Sequence, residues 1–358
     1  MAEKFLKKFF LGSGILLLLC VLAVIVFDPF FQYHKPLKGL KAVLTDKEYQ
    51  CVGSLKTFDY DSVIAGSSVS ENYNNGWFDQ GFDCKSIKAI RSYGATADLC
   101  YLLDIAFEHQ DLKYVFYNLD PSALVADAET TYELTGCPMY LYDDNYINDV
   151  EYWLNKGVLM EKIPYLIANS LMGDYDENNS YNWAQWKEFN SDMILGLYIR
   201  KPSISEMKPE NYYEDILRQN LDLLTSRISA HPETEFYVFV PPYSMLWWDN
   251  IYREGDTEAY LYNMEQAMKT LLSYKNVKMF YFQNDREIIT NLENYMDILH
   301  FSPEINHYIC ESLIEGKHQI SPENYIQNIR EMRNLAYETV EKLVLPYEDR
   351  IKVDTVWR

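Results

Sequence analysis

The most constraining feature of this chain lies at its start. No charged side chain occurs between Phe9 and Phe27, and that run, FFLGSGILLLLCVLAVIVF, is apolar nearly throughout. A helix of this length, at about 1.5 Å per residue, reaches across the hydrocarbon core of a bilayer. Lys4, Lys7 and Lys8 precede the run against a single Glu3. Of the 32 basic and 53 acidic residues in the chain, 29 basic and 52 acidic ones follow it. Basic residues before a span and acid after it follow the positive-inside rule. The expected topology is a cytoplasmic tail at 1–8, a transmembrane helix at 9–27 and an extracytoplasmic bulk. The next residues, DPFFQYHKP, contain no small-x-small cleavage site, so an uncleaved anchor is preferred to a signal peptide.

The whole chain has 358 residues, enough for one large domain with short extensions. Hydrophobic residues at 48% and charged residues at 24% exclude wholesale disorder. A net charge of -21 repels polyanions, so nucleic acid is excluded as a partner of the bulk surface. Six cysteines show no CxxC and no Cys/His ligand spacing. They read as small buried hydrophobes, with one or two disulfides left open, and no metal or cofactor is expected.

Residues 28–50 read as a juxtamembrane stalk. Beyond them, five apolar runs are bounded by polar or turn residues: DSVIAG (61–66), IKAIRSY (87–93), YVFYNL (114–119), EFYVFV (235–240) and VKMFYF (277–282). These are expected to be buried strands. Helical periodicity falls at about 97–109, 211–230, 257–274, 304–315 and 322–344. Strands alternating with helices predict an α/β fold, a three-layer α/β/α sandwich with a mainly parallel sheet. The domain is expected over 51–318, followed by a C-terminal helix and tail at 319–358. An aromatic-rich stretch at about 124–210 reads as an elaboration of that same domain.

In an open α/β sheet, ligands bind at the carboxyl ends of the strands. There the sequence places Gly66-Ser67-Ser68, Gly94, Asn118, Tyr243, and the run Asp297-Ile298-Leu299-His300. Each has a bland reading alone: a helix cap, a turn glycine, a surface carboxylate near a surface histidine. Together they fit one chemistry. A serine at a strand-to-helix turn exposes its hydroxyl beside backbone N–H groups. A histidine can take its proton, and an aspartate three residues away can hold the histidine tautomer. Ser68, His300 and Asp297 are the expected catalytic set. Gly94 and Asn118 are the expected oxyanion donors. Tyr243, Trp247 and Trp248 follow the fourth strand and are expected to offer a stacking platform for sugar rings.

This arrangement resembles the SGNH (GDSL-type) hydrolase superfamily. Gly66-Ser67-Ser68 matches its first block with Ser67 in place of Asp, which makes Ser68 the nucleophile. Gly94 fits the second block and Asp297-x-x-His300 the last. The third block is the poorest match: Asn118 is present, but Phe116 replaces the usual Gly and Leu119 the usual Asp. The resemblance covers roughly 60–315 and implies a flavodoxin-like SGNH fold. With the anchor, the chain looks more like the membrane-anchored branch that acts in teichoic-acid D-alanylation and alginate acetylation. That likeness implies ester hydrolysis or O-acyl transfer on a cell-surface glycan or acylated polymer, with a membrane acyl-donor protein as a further partner. The alternative is a catalytically inactive binding or assembly protein of the cell envelope.

Overall fold

The computed structural model describes residues 1–354. The C-terminal stretch expected at 319–358 therefore ends, for its last four residues, outside the described residues. The described chain divides into two compact units: residues 1–59 with 132–181, and residues 60–131 with 182 onward.

The larger unit holds a six-stranded sheet. Its strands are β1 (Ser62–Gly66), β2 (Ser86–Ile90), β3 (Tyr114–Asn118), β5 (Glu235–Val240), β6 (Val277–Tyr281) and β7 (Gln319–Ile320). A separate two-stranded sheet pairs β4 (Ile199–Arg200) with β8 (Lys352–Val353). The large sheet runs in the order β2-β1-β3-β5-β6-β7 and is parallel except for β7, which pairs antiparallel with β6. The five apolar runs thus form the five parallel strands. Continuous apolar sequence, not alternation, marks strands covered on both faces. Val63, Ile64, Val115, Phe116, Val238, Phe239, Met279 and Phe280 are almost wholly inaccessible. The short β7 carries too few residues to stand out as a periodic run.

The helices pack on this sheet. Helices α3 (Asn75–Phe82) and α4 (Thr96–His109) lie against β2, and the helix Glu214–Ala230 lies against α4. The helices Thr257–Leu271 and Tyr325–Glu338 pack together. A buried ion pair anchors β4: Arg200 Nε and Nη2 each donate at 2.8 Å to the two oxygens of Asp249. The Tyr198 hydroxyl donates to the same carboxylate at 2.7 Å, so the buried charges are paired and bonded.

The smaller unit begins with α1 (Ala2–Phe27), which includes the charge-free run. By length and composition α1 is apolar enough to cross a membrane. Residues 28–50 are not an extended stalk. Phe30 and Phe31 are buried, and helix α2 (Lys47–Thr57) already starts inside this stretch. Asp28 closes α1 in the left-handed region (φ 37°) and accepts a hydrogen bond from the Tyr152 hydroxyl at 2.8 Å. Phe30 stacks on the Tyr152 ring, centroids 5.0 Å apart. Of the aromatic-rich stretch expected at about 124–210, residues 132–181 fold with the N-terminal end of the chain, while 124–131 and 182–210 belong to the larger unit. All six cysteines are free thiols.

Gly66 at the end of β1 has no room for a side chain. A Cβ there would lie 2.1 Å from Ser70 Oγ and 2.8 Å from Asn118 Cβ. Gly66→Ala is expected to destabilise the protein by about 1–3 kcal/mol, the usual cost of overpacking. Chemical unfolding of the purified protein checks this: an unchanged midpoint would mean that the loop relaxes at no cost.

Candidate active site

Strand β1 delivers the chain to a sharp turn. Ser70 N–H donates to Ser67 O at 2.9 Å, and a 3-10 turn follows at Ser70–Asn72. Within this turn Ser67 is buried and Ser68 is partly open to solvent. That difference in access assigns the reachable hydroxyl to Ser68.

The loop carrying the histidine is built separately. Met296 N–H donates to His300 O at 3.1 Å, and Tyr295 pairs with Phe301 in an antiparallel bridge, so residues 295–301 close on themselves. Asp297 Oδ1 accepts the backbone N–H of Leu299 at 2.9 Å and of His300 at 2.8 Å. The Ser244 hydroxyl and N–H both donate to Ile298 O, which ties this loop to the end of β5.

The two loops meet at three side chains. His300 Nδ1 lies 2.7 Å from Asp297 Oδ2, and His300 Nε2 lies 2.9 Å from Ser68 Oγ. An Nδ1–H donated to the carboxylate leaves the Nε2 lone pair to accept the Ser68 hydroxyl proton. Burial pushes the Asp297 carboxyl up, but the His300 ring and the two backbone N–H groups outweigh it and hold it below the usual carboxylate range. Asp297 is therefore ionised at neutral pH and able to balance an imidazolium. The spacing Asp-x-x-His brings both groups to one serine because the first carboxylate oxygen is spent on the loop backbone and the second on the ring.

The expected oxyanion donors separate. Asn118 is fully buried at the end of β3, and both atoms of its amide lack a partner among the described residues. Its Cβ packs where a side chain at Gly66 would be, two residues before Ser68. The Ser68 N–H donates to no backbone carbonyl among the described residues. Gly94 differs: its N–H donates to Arg91 O at 2.9 Å and closes a turn. A Cβ at Gly94 would meet Arg91 O at 2.8 Å, so this glycine serves the turn and its N–H is already spent. Tyr93 within that turn adopts φ 56°, rare for a bulky residue, and projects almost fully exposed.

The expected aromatic platform is not a surface. Tyr243, Trp247 and Trp248 are 0%, 4% and 1% exposed. Trp247 packs between Tyr243 and Trp248, and the Trp248 ring N–H donates to Gln283 Oε1 at 2.8 Å. Trp247 and Trp248 lie on the helix Met245–Arg253, whose Asp249 is also buried and paired with Arg200. Different aromatics reach the site. The Trp183 ring stands edge-on to His300, centroids 4.8 Å apart and planes at 85°. Its segment is strapped to both loops: Asn182 Nδ2 donates to Asn72 O, Ala184 N–H to Asn72 Oδ1, and Asn190 N–H to Tyr295 O. Trp186, three residues on, is 83% exposed. The sequence signal for these was the Tyr/Trp-rich composition of 124–210, which gives no position. A cleft of about 180 Å³ adjoins Asp297, lined also by Leu197, Tyr198, Ile199, Asn250 and Ile298.

Beneath the serine turn lies a second missed group. Lys88 of β2 is fully buried, and its Nζ donates to Glu71 O at 2.7 Å. The Ser92 hydroxyl donates to Glu71 Oε1 at 2.5 Å, joining the β2 loop to the serine turn. A scan against protein-family models finds no match to this chain, and a search of curated proteins finds none either.

Burial pulls the Lys88 ammonium down from 10.5 to about 7, against the charge of Glu71. Between these values the unfolded chain binds the additional proton, so the contribution of Lys88 to stability grows as pH rises. Thermal unfolding of the native chain and of Lys88→Met at pH 6 to 9 is expected to show the native-minus-variant difference increasing with pH. A difference independent of pH would mean that Lys88 does not titrate in this range.

Proposed function

We propose that the chain is a membrane-anchored, serine-dependent ester hydrolase or O-acyltransferase of SGNH type, acting on an acylated glycan outside the membrane. The observation that carries the reading is the unbroken relay Asp297–His300–Ser68, at 2.7 and 2.9 Å. In this reading Ser68 Oγ attacks the acyl carbonyl while its proton passes to His300 Nε2. The developing oxyanion takes hydrogen bonds from the Ser68 N–H and the Asn118 amide, which are otherwise unused. His300 then protonates the departing sugar oxygen. Water or a second sugar hydroxyl attacks the acyl-serine in the reverse sense, giving hydrolysis or transfer. Trp183 fixes the histidine plane, and Trp186 and Tyr93 supply exposed rings against which a sugar can stack.

The architecture belongs to the same proposal. The parallel order around β1 and β3, with helices packed on the sheet, suits a flavodoxin-like three-layer SGNH sandwich. The apolar α1 suits a single-pass anchor, with the basic residues 4–8 in the cytoplasm and the acidic bulk outside. An inactive binding protein is the weaker reading, because a site freed from catalysis has no reason to keep a buried, unpaired amide at Asn118 beside an aligned relay.

Activity against a p-nitrophenyl acetate-type ester and labelling by a fluorophosphonate probe test this reading. Ser68→Ala and His300→Ala are expected to lower kcat by roughly 10⁵-fold or more, and Asp297→Asn by roughly 10⁴-fold. Asn118→Ala is expected to cost roughly 10²–10³-fold. Ser67→Ala should retain activity within a few-fold, since its hydroxyl is buried. The probe should mark Ser68 alone. Native protein that takes no label and turns over no ester sinks the enzymatic reading. For topology, a C-terminal reporter domain is expected to be cleaved by external protease in intact cells; full protection would reverse the orientation.

A further inference from the structure

The anchor end of the smaller unit has an unusual surface. Along α1 the residues from Phe9 to Leu19 are open almost throughout, whereas from Cys20 onward one side of the helix is covered, with Val24 wholly buried while Leu22 and Val26 stay open. The covering elements are α5 (Val150–Trp153) and the helical turn Val158–Lys162, which runs directly into α6 (Ile163–Leu171). The joint is tight. Tyr152 is fully buried and holds Asp28, the Tyr33 hydroxyl donates to Asp149 Oδ2 at 2.6 Å, and the Trp153 ring N–H donates to the Tyr33 hydroxyl at 2.7 Å.

The inner faces of these elements are thus occupied, yet large apolar side chains remain on their outer faces. Val150, Leu154, Met160, Tyr165, Leu171 and Met172 are 46–82% exposed. Six such side chains within one short stretch, next to a helix of bilayer-spanning length, require an apolar partner.

Helix geometry indicates which one. A hydrocarbon core of about 30 Å takes about 20 residues of helix. Counted from Phe9, directly after Lys7 and Lys8, that length ends at Phe27 and Asp28. The covered segment from Cys20 to Phe27 therefore occupies the last ~12 Å of the core. Whatever packs on that segment lies at the depth of the outer leaflet, and its outward face meets lipid. Tyr165 and Trp153 are the amphipathic rings favoured at such a boundary. The charged residues of the stretch are mixed in sign: Glu151, Lys156 and Glu161 are exposed, and Lys162 pairs with Asp46 at 2.6 Å. No cationic face exists in this stretch to seek anionic lipid, so insertion rests on apolar burial.

We propose that α5 and residues 158–172 form a collar inserted in the outer leaflet around the exit of α1, with the acyl chains and glycerol region of the lipid as its partner. The inference rests on the membrane-anchored reading of α1 but not on the chemistry of the serine site. A collar bonded to the anchor fixes the smaller unit against the membrane surface, where a lone helix would leave it free to swivel.

The test uses the full chain reconstituted in phosphatidylcholine vesicles. An environment-sensitive fluorescent amino acid is encoded at Met160, at Leu171 or at Leu17, one position per protein; the first two are exposed sites whose replacement leaves the core intact. Blue-shifted emission at 160 and 171, lowered at least about twofold by shallow doxyl-labelled lipid, supports the collar. Quenching at 17 with water-like emission at 160 and 171 overturns the collar and leaves the anchor standing. No quenching at any position removes the anchor and the collar together. Blue-shifted but unquenched emission at 160 and 171 overturns it too, because the face would then be covered by protein, either a second copy or a membrane partner added back.

Discussion

The candidate site depends on the parallel sense of β1, β3 and β5. Strands buried on both faces have no place for polar side chains along their length. In a parallel sheet all of them end at the same edge, and polar residues placed there share one small volume. Ser68 follows β1, Asn118 ends β3, and Ser244, which holds the histidine loop, follows β5. Reversal of any one strand would put its contribution at the far edge, more than 15 Å away for a five-residue strand at about 3.3 Å per residue. The register of the sheet is thus part of the geometry of the site and not merely its support.

Much of this was legible in the residues. The five apolar runs had the length and turn-bounded composition of buried strands, and all five became the parallel strands. Ser68, Asp297 and His300 were legible because their chemistry is bound to short local patterns at strand ends. What escaped reading depended on contacts between distant segments. Trp247 and Trp248 follow a strand end as a binding platform would, but both are buried, and the Trp248 ring N–H is held by Gln283, 35 positions on. Trp183 reaches His300 only because Asn182 and Ala184 bond to Asn72, a residue more than a hundred positions earlier. Gly94 was correctly placed in a loop, but its role as turn former, not donor, follows from the Arg91 carbonyl that its N–H meets.

The smaller unit illustrates the same limit. Residues 28–50 are polar enough to suggest a stalk, and about 124–210 irregular enough to suggest an elaboration of the sheet domain, of which 132–181 in fact join the smaller unit. Each lacks a core alone. Asp28, Phe30 and Tyr33 supply one side of a shared core, and Asp149, Tyr152 and Trp153 the other. Long-range pairing of two weakly patterned segments leaves no periodic signal in either.

The unpaired groups at the site carry a stability argument of their own. A buried amide without a partner costs about 1–3 kcal/mol, a large part of the margin by which a domain stays folded. Asn118 leaves both amide atoms unpaired at the end of a strand where an apolar residue of similar size would pack without that cost. Gly66, whose missing side chain leaves room for the Asn118 Cβ, lets the amide sit at this edge. Folding alone favours removal of this amide. In the proposed reading a ligand oxygen bonded by this amide during a reaction reverses the balance, since the bond then forms in the state whose energy sets the rate.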